Sequence, residues 1–95
     1  MAAYLIYQAD VSDPERYEIY KAAAGPSVVA AGGRYLVRGG ECVPLEGELP
    51  ASRTVVLEFA SREVALEWYW GVEYTEIRKL RHGIAEATLY VVDGA

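Results

Sequence analysis

One cysteine and one histidine are too few for the common covalent or metal clamps. Cys42 has no partner for a disulfide within the chain, and with the single His82 it cannot complete a structural zinc site. Basic residues are scarce as well. Nine Lys+Arg face fourteen Asp+Glu, a net charge of −5 and a pI near 4.8. That balance lacks the electrostatic footprint of a nucleic-acid binder and disfavours docking on anionic membrane surfaces. Apolar runs extend only a few residues, so no segment is expected to span a bilayer, and no basic stretch followed by an apolar one marks a secretory leader. No repeat or low-complexity tract is visible. Together these absences predict a reduced, cytoplasmic chain without metal or cofactor.

What is present is apolar and aromatic. Hydrophobic residues make up 53% of the chain, enough to build a core and to exclude disorder. Ninety-five residues suit one domain spanning 1–95. Tyr4 to Asp10 has the aromatic and β-branched content of a strand. Ser12-Asp13-Pro14-Glu15 opens a helix with a capping side chain, a proline suited to the first turn and a carboxylate at the positive dipole end. Tyr17, Tyr20, Ala24, Val28 and Ala31 form its apolar stripe, and Pro26 predicts a kink or break after Gly25. Gly32-Gly33 ends the helix. Arg34 to Arg38 reads as a second strand, with Glu41 to Leu45 as a return strand or bulged extension. Glu46 to Ser52 reads as a mobile loop.

Arg53 to Phe59 is the third strand, and Ser61 caps a second helix with Val64, Leu66, Trp68 and Tyr69 as inward candidates. Gly71 interrupts that helix. Tyr74, Ile77 and Leu80 then form the stripe of a last segment, whose basic end (Arg78, Lys79, Arg81, His82) suits the dipole before Gly83 stops it. Ala85 to Val92 is the fourth strand. The order is βαββαβ, which predicts an α+β, ferredoxin-like fold: a four-stranded antiparallel sheet with two helices on one face. Its strands are apolar on both sides, so the face away from the helices needs a cover. A second copy of the chain, in an isologous homodimer, is the expected one.

The wording of several segments is also specific. Asp13-Pro14-Glu15-Arg16-Tyr17 through Tyr20, the run from Gly32 to Gly40, Leu45-Glu46-Gly47, Val56-Leu57-Glu58-Phe59, Trp68-Tyr69, Glu73-Tyr74 and Arg78 with Leu80-Arg81 together resemble the domain of unknown function 1330 family. The resemblance covers nearly the whole chain and implies a dimeric α/β barrel in which two ferredoxin-like sheets meet face to face. Barrels of that superfamily include heme-degrading and quinone-forming monooxygenases, a likeness of fold alone. Trp70-Gly71-Val72 departs from the small residue and proline that family members tend to show before the Glu-Tyr pair.

Candidate chemistry is sparse. His82 is the one side chain whose unperturbed pKa lies near neutrality; it reads as a general base or heme ligand, or as an exposed helix cap. Glu58 interrupts an apolar strand and reads as an acid/base group, or as an ion-pair partner of Arg34, Arg38 or Arg53. Arg38, paired in this reading with Glu58, is the candidate holder of an anion. Trp68, Tyr69 and Trp70 point about 100° apart on a helix, so they cannot share one core. Trp68, Tyr69 and Tyr74, with Tyr17, Tyr20 and Tyr35 nearby, are the candidates for an aromatic pocket that takes a small organic molecule. The glycine pairs match no phosphate-binding fingerprint and read as turns, and Cys42 has no Cys-His signature of a nucleophile. Two functions follow from the sequence: a dimeric protein that binds, or binds and transforms, a small organic molecule, or a dimeric structural or interaction protein with no small-molecule site.

Overall fold

Leu5, Tyr7 and Ala9 alternate with Tyr4, Ile6 and Gln8, which makes the first strand two-faced. In the computed structural model, which describes residues 1–95, that segment is β1 (Ala3–Val11). It is followed by α1 (Pro14–Ala30), β2 (Arg34–Arg38), β3 (Arg53–Phe59), α2 (Arg62–Trp70), α3 (Val72–Arg78), a 3-10 turn over Lys79–Arg81 and β4 (Ala85–Asp93). The strands form one sheet in the order β2-β3-β1-β4, every neighbouring pair antiparallel. The fold is thus α+β, with helices gathered over one face of a four-stranded antiparallel sheet. No helix is long and apolar enough to cross a membrane.

Both main helices begin as their sequences require. Asp13 accepts a hydrogen bond from the Arg16 N–H, with Pro14 in the first turn, and Ser61 accepts one from the Val64 N–H at the start of α2. The core lies between helices and sheet. Leu5, Tyr7, Ala9, Val55, Leu57 and Phe59 meet Tyr17, Tyr20, Ala24 and Val28 of α1 and Ala65, Trp68 and Tyr74 of the second helical region. The other face of the sheet carries Tyr4, Ile6, Val56, Tyr90 and Val92 toward one end, and Gln8, Thr54, Thr88, Asp10 and Glu86 toward the other. Tyr90 is 53% exposed and Val92 46%, so the apolar end of that face has no cover within the chain.

Four local expectations are corrected. Of the kink or break expected at Pro26, the break does not occur: α1 runs through it as one element. Pro26 and Ala22, whose carbonyl loses its i+4 donor, both lie on the exposed side, where water can satisfy the orphan. No strand forms over Glu41–Leu45; residues 39–52 are irregular, consistent with Pro44 lacking a ladder donor. Leu66 and Leu80 are each 40% exposed, and Ala65 and Arg81 take the inward positions. In the last case the chain tightens into the 3-10 turn, which rotates Arg81 inward instead of leaving it with the solvated basic end.

Gly33 shows why the α1–β2 turn is glycine-rich. A Cβ there would sit 2.7 Å from Phe59 Cε1 and 3.0 Å from Val28 Cγ1, both in the core. Gly33→Ala is expected to destabilise the protein by about 1–3 kcal/mol through overpacking. At Gly32 (φ +79) a Cβ meets nothing, and Gly32→Ala costs about 1 kcal/mol from the left-handed backbone alone. Urea unfolding of the two variants measures both costs, and a Gly33→Ala protein as stable as the parent would contradict the overpacking.

Candidate functional site

A β-bulge builds the site. In β2, Tyr35 pairs with Leu57 and Arg38 with Val55, but the register slips between Tyr35 and Val37. Strict alternation would put Tyr35 and Arg38 on opposite faces. The extra residue puts both on the helix face, beside partners that are themselves buried there. Arg38 folds back over the Tyr35 ring, its guanidinium carbon 4.2 Å from the centroid. It also reaches α1 at Gly25, where a Cβ would lie 3.0 Å from Arg38 Nη2. The glycine therefore keeps room for the arginine.

Below Arg38 is a cleft between α1, the sheet and the second helical region. Tyr7, Tyr17, Tyr20, Tyr35, Trp68 and Tyr74 supply its aromatic wall, aliphatic side chains from β1, β3 and β4 its floor, and Lys21, Arg38 and Arg53 its charged groups. No carboxylate lines it. Its free volume is about 30 Å³, room for one or two water molecules. Two phenol pairs cross it: Tyr7 and Tyr17 hydroxyls lie 2.8 Å apart, Tyr20 and Tyr74 hydroxyls 2.6 Å. Burial first, then the hydrogen bond to Tyr17, pushes the Tyr7 phenol far above the ordinary range; burial first, then the neighbouring Tyr74 phenol, does the same to Tyr20. Burial also raises Tyr35, against the pull of Arg38.

Two further arginines complete the surroundings. Arg53, at the start of β3, occupies the space beside Gly39 that a Cβ would take, and its guanidinium lies 5.6 Å from the Tyr17 ring centroid. Arg81 sits behind the phenols, 5.5 Å from the Tyr7 and 5.7 Å from the Tyr20 ring centroid. Burial works to lower the Arg81 pKa, but the Tyr74, Tyr20 and Tyr7 phenols outweigh it and the group stays cationic. Trp68 is fixed by its indole N–H, which donates to Ser27 Oγ at 3.1 Å, while that hydroxyl donates to the Ala24 carbonyl at 2.7 Å.

The candidate residues divide. Arg38, Trp68 and Tyr74 meet in the cleft. Tyr69 lies just outside it, its ring 5.5 Å from that of Tyr74, and its hydroxyl accepts from Arg78 Nη1 at 2.6 Å. As the 100° spacing requires, Trp70 faces outward, 68% exposed, beside an open apolar groove between α2 and β4. Glu58 is on the other face of the sheet, opposite Tyr4, and its partner is Arg34, whose Nε donates to Oε1 at 2.7 Å. The expected Glu58–Arg38 pair does not form: Arg34 stands opposite Glu58, Arg38 lies four residues further along opposite Val55, and the bulge turns it to the other face. His82 is exposed after the 3-10 turn, its backbone N–H bonded to the Lys79 carbonyl at 3.2 Å. It leads into the Ala85 end of β4, whereas Glu58 pairs near the start of β1, so the two lie at opposite ends of the sheet. Neither lines the cleft.

Sequence reasoning missed Tyr7, Lys21, Arg53 and Arg81 as members of the site. Tyr7 carried a legible signal: a tyrosine alternating with Leu5 and Ala9 must bury its hydroxyl on the core side, where it needs a polar partner.

Comparison with known proteins agrees with this architecture. The sequence model of the family described as domain of unknown function (DUF1330) matches residues 2–95, and the chain belongs to that family. No curated protein matches. Among solved structures, the chain is similar to RPA0582, a protein of unknown function from Rhodopseudomonas palustris. The TM-score is 0.79 at 17% identity, over 99% of this chain and 82% of that one. The methylated RPA0582 protein gives the same TM-score and identity, over 99% of this chain and 81% of that one. At that identity the likeness speaks for the fold alone.

Proposed function

We propose that this chain is a cytoplasmic small-molecule-binding protein whose site is the tyrosine-lined cleft between helices and sheet, and that it works as a homodimer. The observation that carries the reading is that one concave site gathers apolar walls and two arginines, Arg38 and Arg53, that pair with no acid, while its third cation, Lys21, is paired with Glu18. The sheet order β2-β3-β1-β4 supports a ferredoxin-like fold. The uncovered Tyr90, Val92, Ile6 and Val56 side of the sheet supports a dimeric barrel closed by a second copy. The candidates for proton transfer, His82 and Glu58, lie outside the cleft, so the reading is one of binding and assigns them no catalytic step.

A free volume of only about 30 Å³ favours a second reading, a dimer whose interior is simply filled. Native mass spectrometry of the freshly purified protein separates the two. A mass of twice the chain plus a discrete adduct is expected. A bare dimer whose cleft amide resonances respond to no added small molecule would favour the second reading, and a monomer would overturn the barrel.

A further inference from the structure

The hydrogen-bond inventory of the cleft is unbalanced. Each phenol pair holds two O–H groups but spends only one on the mutual bond. Neither pair has a further acceptor among protein groups, so each leaves one O–H unspent. Arg53 Nε and Arg81 Nε are buried with no hydrogen-bond partner, and Arg81 as a whole is only 8% exposed. The chain's ion pairs are Lys21–Glu18, Arg34–Glu58, Arg62–Asp93 and Lys79–Glu76. Arg38, Arg53 and Arg81 belong to none of them. In a chain with five more acids than bases, three arginines around one cleft without a carboxylate are an arrangement, not an average. Buried donors of this kind are ordinarily satisfied, and charged ones ordinarily paired.

We infer that the ligand of this cleft is an organic anion, a compact carboxylate whose oxygens accept from Arg38, Arg53 and the unspent phenol O–H groups while its carbon part lies on the aromatic wall. Carboxylate geometry suits the guanidinium fork, and a lining with unpaired arginines and no carboxylate selects against cationic ligands. The free volume accommodates the head group, and Arg38, held only by Tyr35 and the Gly25 surface, is the arm that swings aside to admit the rest. The inference rests on the cleft being a ligand site and adds the charge class.

Acetate and benzoate, titrated at fixed ionic strength against their neutral counterparts acetamide and benzamide, test it by NMR on the amides of Tyr20, Lys21 and Arg38. Each acid is expected to bind at least about tenfold more tightly than its amide, the difference a charged hydrogen bond makes. Arg38→Gln, at an exposed position that leaves the fold intact, and Arg53→Gln are each expected to shrink that ratio to within about twofold, as removal of a charged donor implies. Amides that bind as tightly as the acids would overturn the charge class and leave the cleft as a site. Binding of none of the four probes would overturn both.

Discussion

Tyr74→Ala is expected to lower the unfolding free energy by about 3–5 kcal/mol, the cost of emptying a buried large aromatic position. For a domain whose whole stability is about 5–15 kcal/mol, that is a fall in melting temperature of about 20 °C. Tyr74 is 1% exposed, its ring lies 4.1 Å from that of Trp68 and 5.5 Å from that of Tyr69, and its hydroxyl closes the pair with Tyr20. Tyr74→Phe separates the ring from the hydroxyl. It leaves the Tyr20 hydroxyl without its partner and is expected to cost about 1–3 kcal/mol. The double variant Tyr20→Phe with Tyr74→Phe removes both polar groups and is expected to cost less than the sum of the singles. Chemical denaturation of the four proteins measures this. A Tyr74→Phe protein as stable as the parent would mean that water already serves the Tyr20 hydroxyl.

Alkali is the second large lever. The Tyr7 and Tyr20 phenols are 4% and 7% exposed and are held uncharged in the folded chain, with their pKa pushed up. In the unfolded chain they ionise near the ordinary value of about 10. Below that pH both states carry the protons, and these groups leave stability unchanged. Above it only the unfolded state loses them, and each phenol withdraws about 1.4 kcal/mol of stability per pH unit. By about pH 11 the two together remove about 3 kcal/mol, and about twice that by pH 12. The fold is therefore expected to collapse cooperatively between about pH 10 and pH 12, with the loss of circular dichroism accompanied by the buried tyrosines' share of the tyrosinate absorbance. Titration of all eight tyrosines near pH 10 in a protein that keeps its circular dichroism would place these hydroxyls in solvent.

Where a feature depended on its own neighbours in sequence, it was legible. Asp13-Pro14 and Ser61 start helices at the positions their capping chemistry names, and Gly71 separates α2 from α3. The third strand begins and ends where its composition changes, and the first and fourth run at most a residue further at each end. The aromatic pocket was legible through Tyr17, Tyr20, Trp68 and Tyr74, whose helical spacing turns them toward the sheet. Pro26 did not end the helix because its lost hydrogen bond faces water, and exposure is a property of the whole fold. Leu66 and Leu80 misled because a stripe of apolar residues is wider than the surface available to cover it.

The amino-acid sequence by itself determined the order of elements, their faces and the apolar content of both sides of the sheet, since these follow from period, capping and turn chemistry within a few residues. The tertiary structure alone decided which charges meet. A one-residue slip between Tyr35 and Val37 leaves Glu58 with Arg34 and sends Arg38 to the tyrosine cleft. A 3-10 turn of three residues carries Arg81 from the solvated end of a helix into the core. Both are small local irregularities whose sense depends on distant partners: Val55 and Leu57 across the ladder in one case, Tyr7 and Tyr20 beneath the turn in the other. A slip of one residue reverses the face of every side chain beyond it, so chemistry spread over several strands is fixed only once the sheet has assembled.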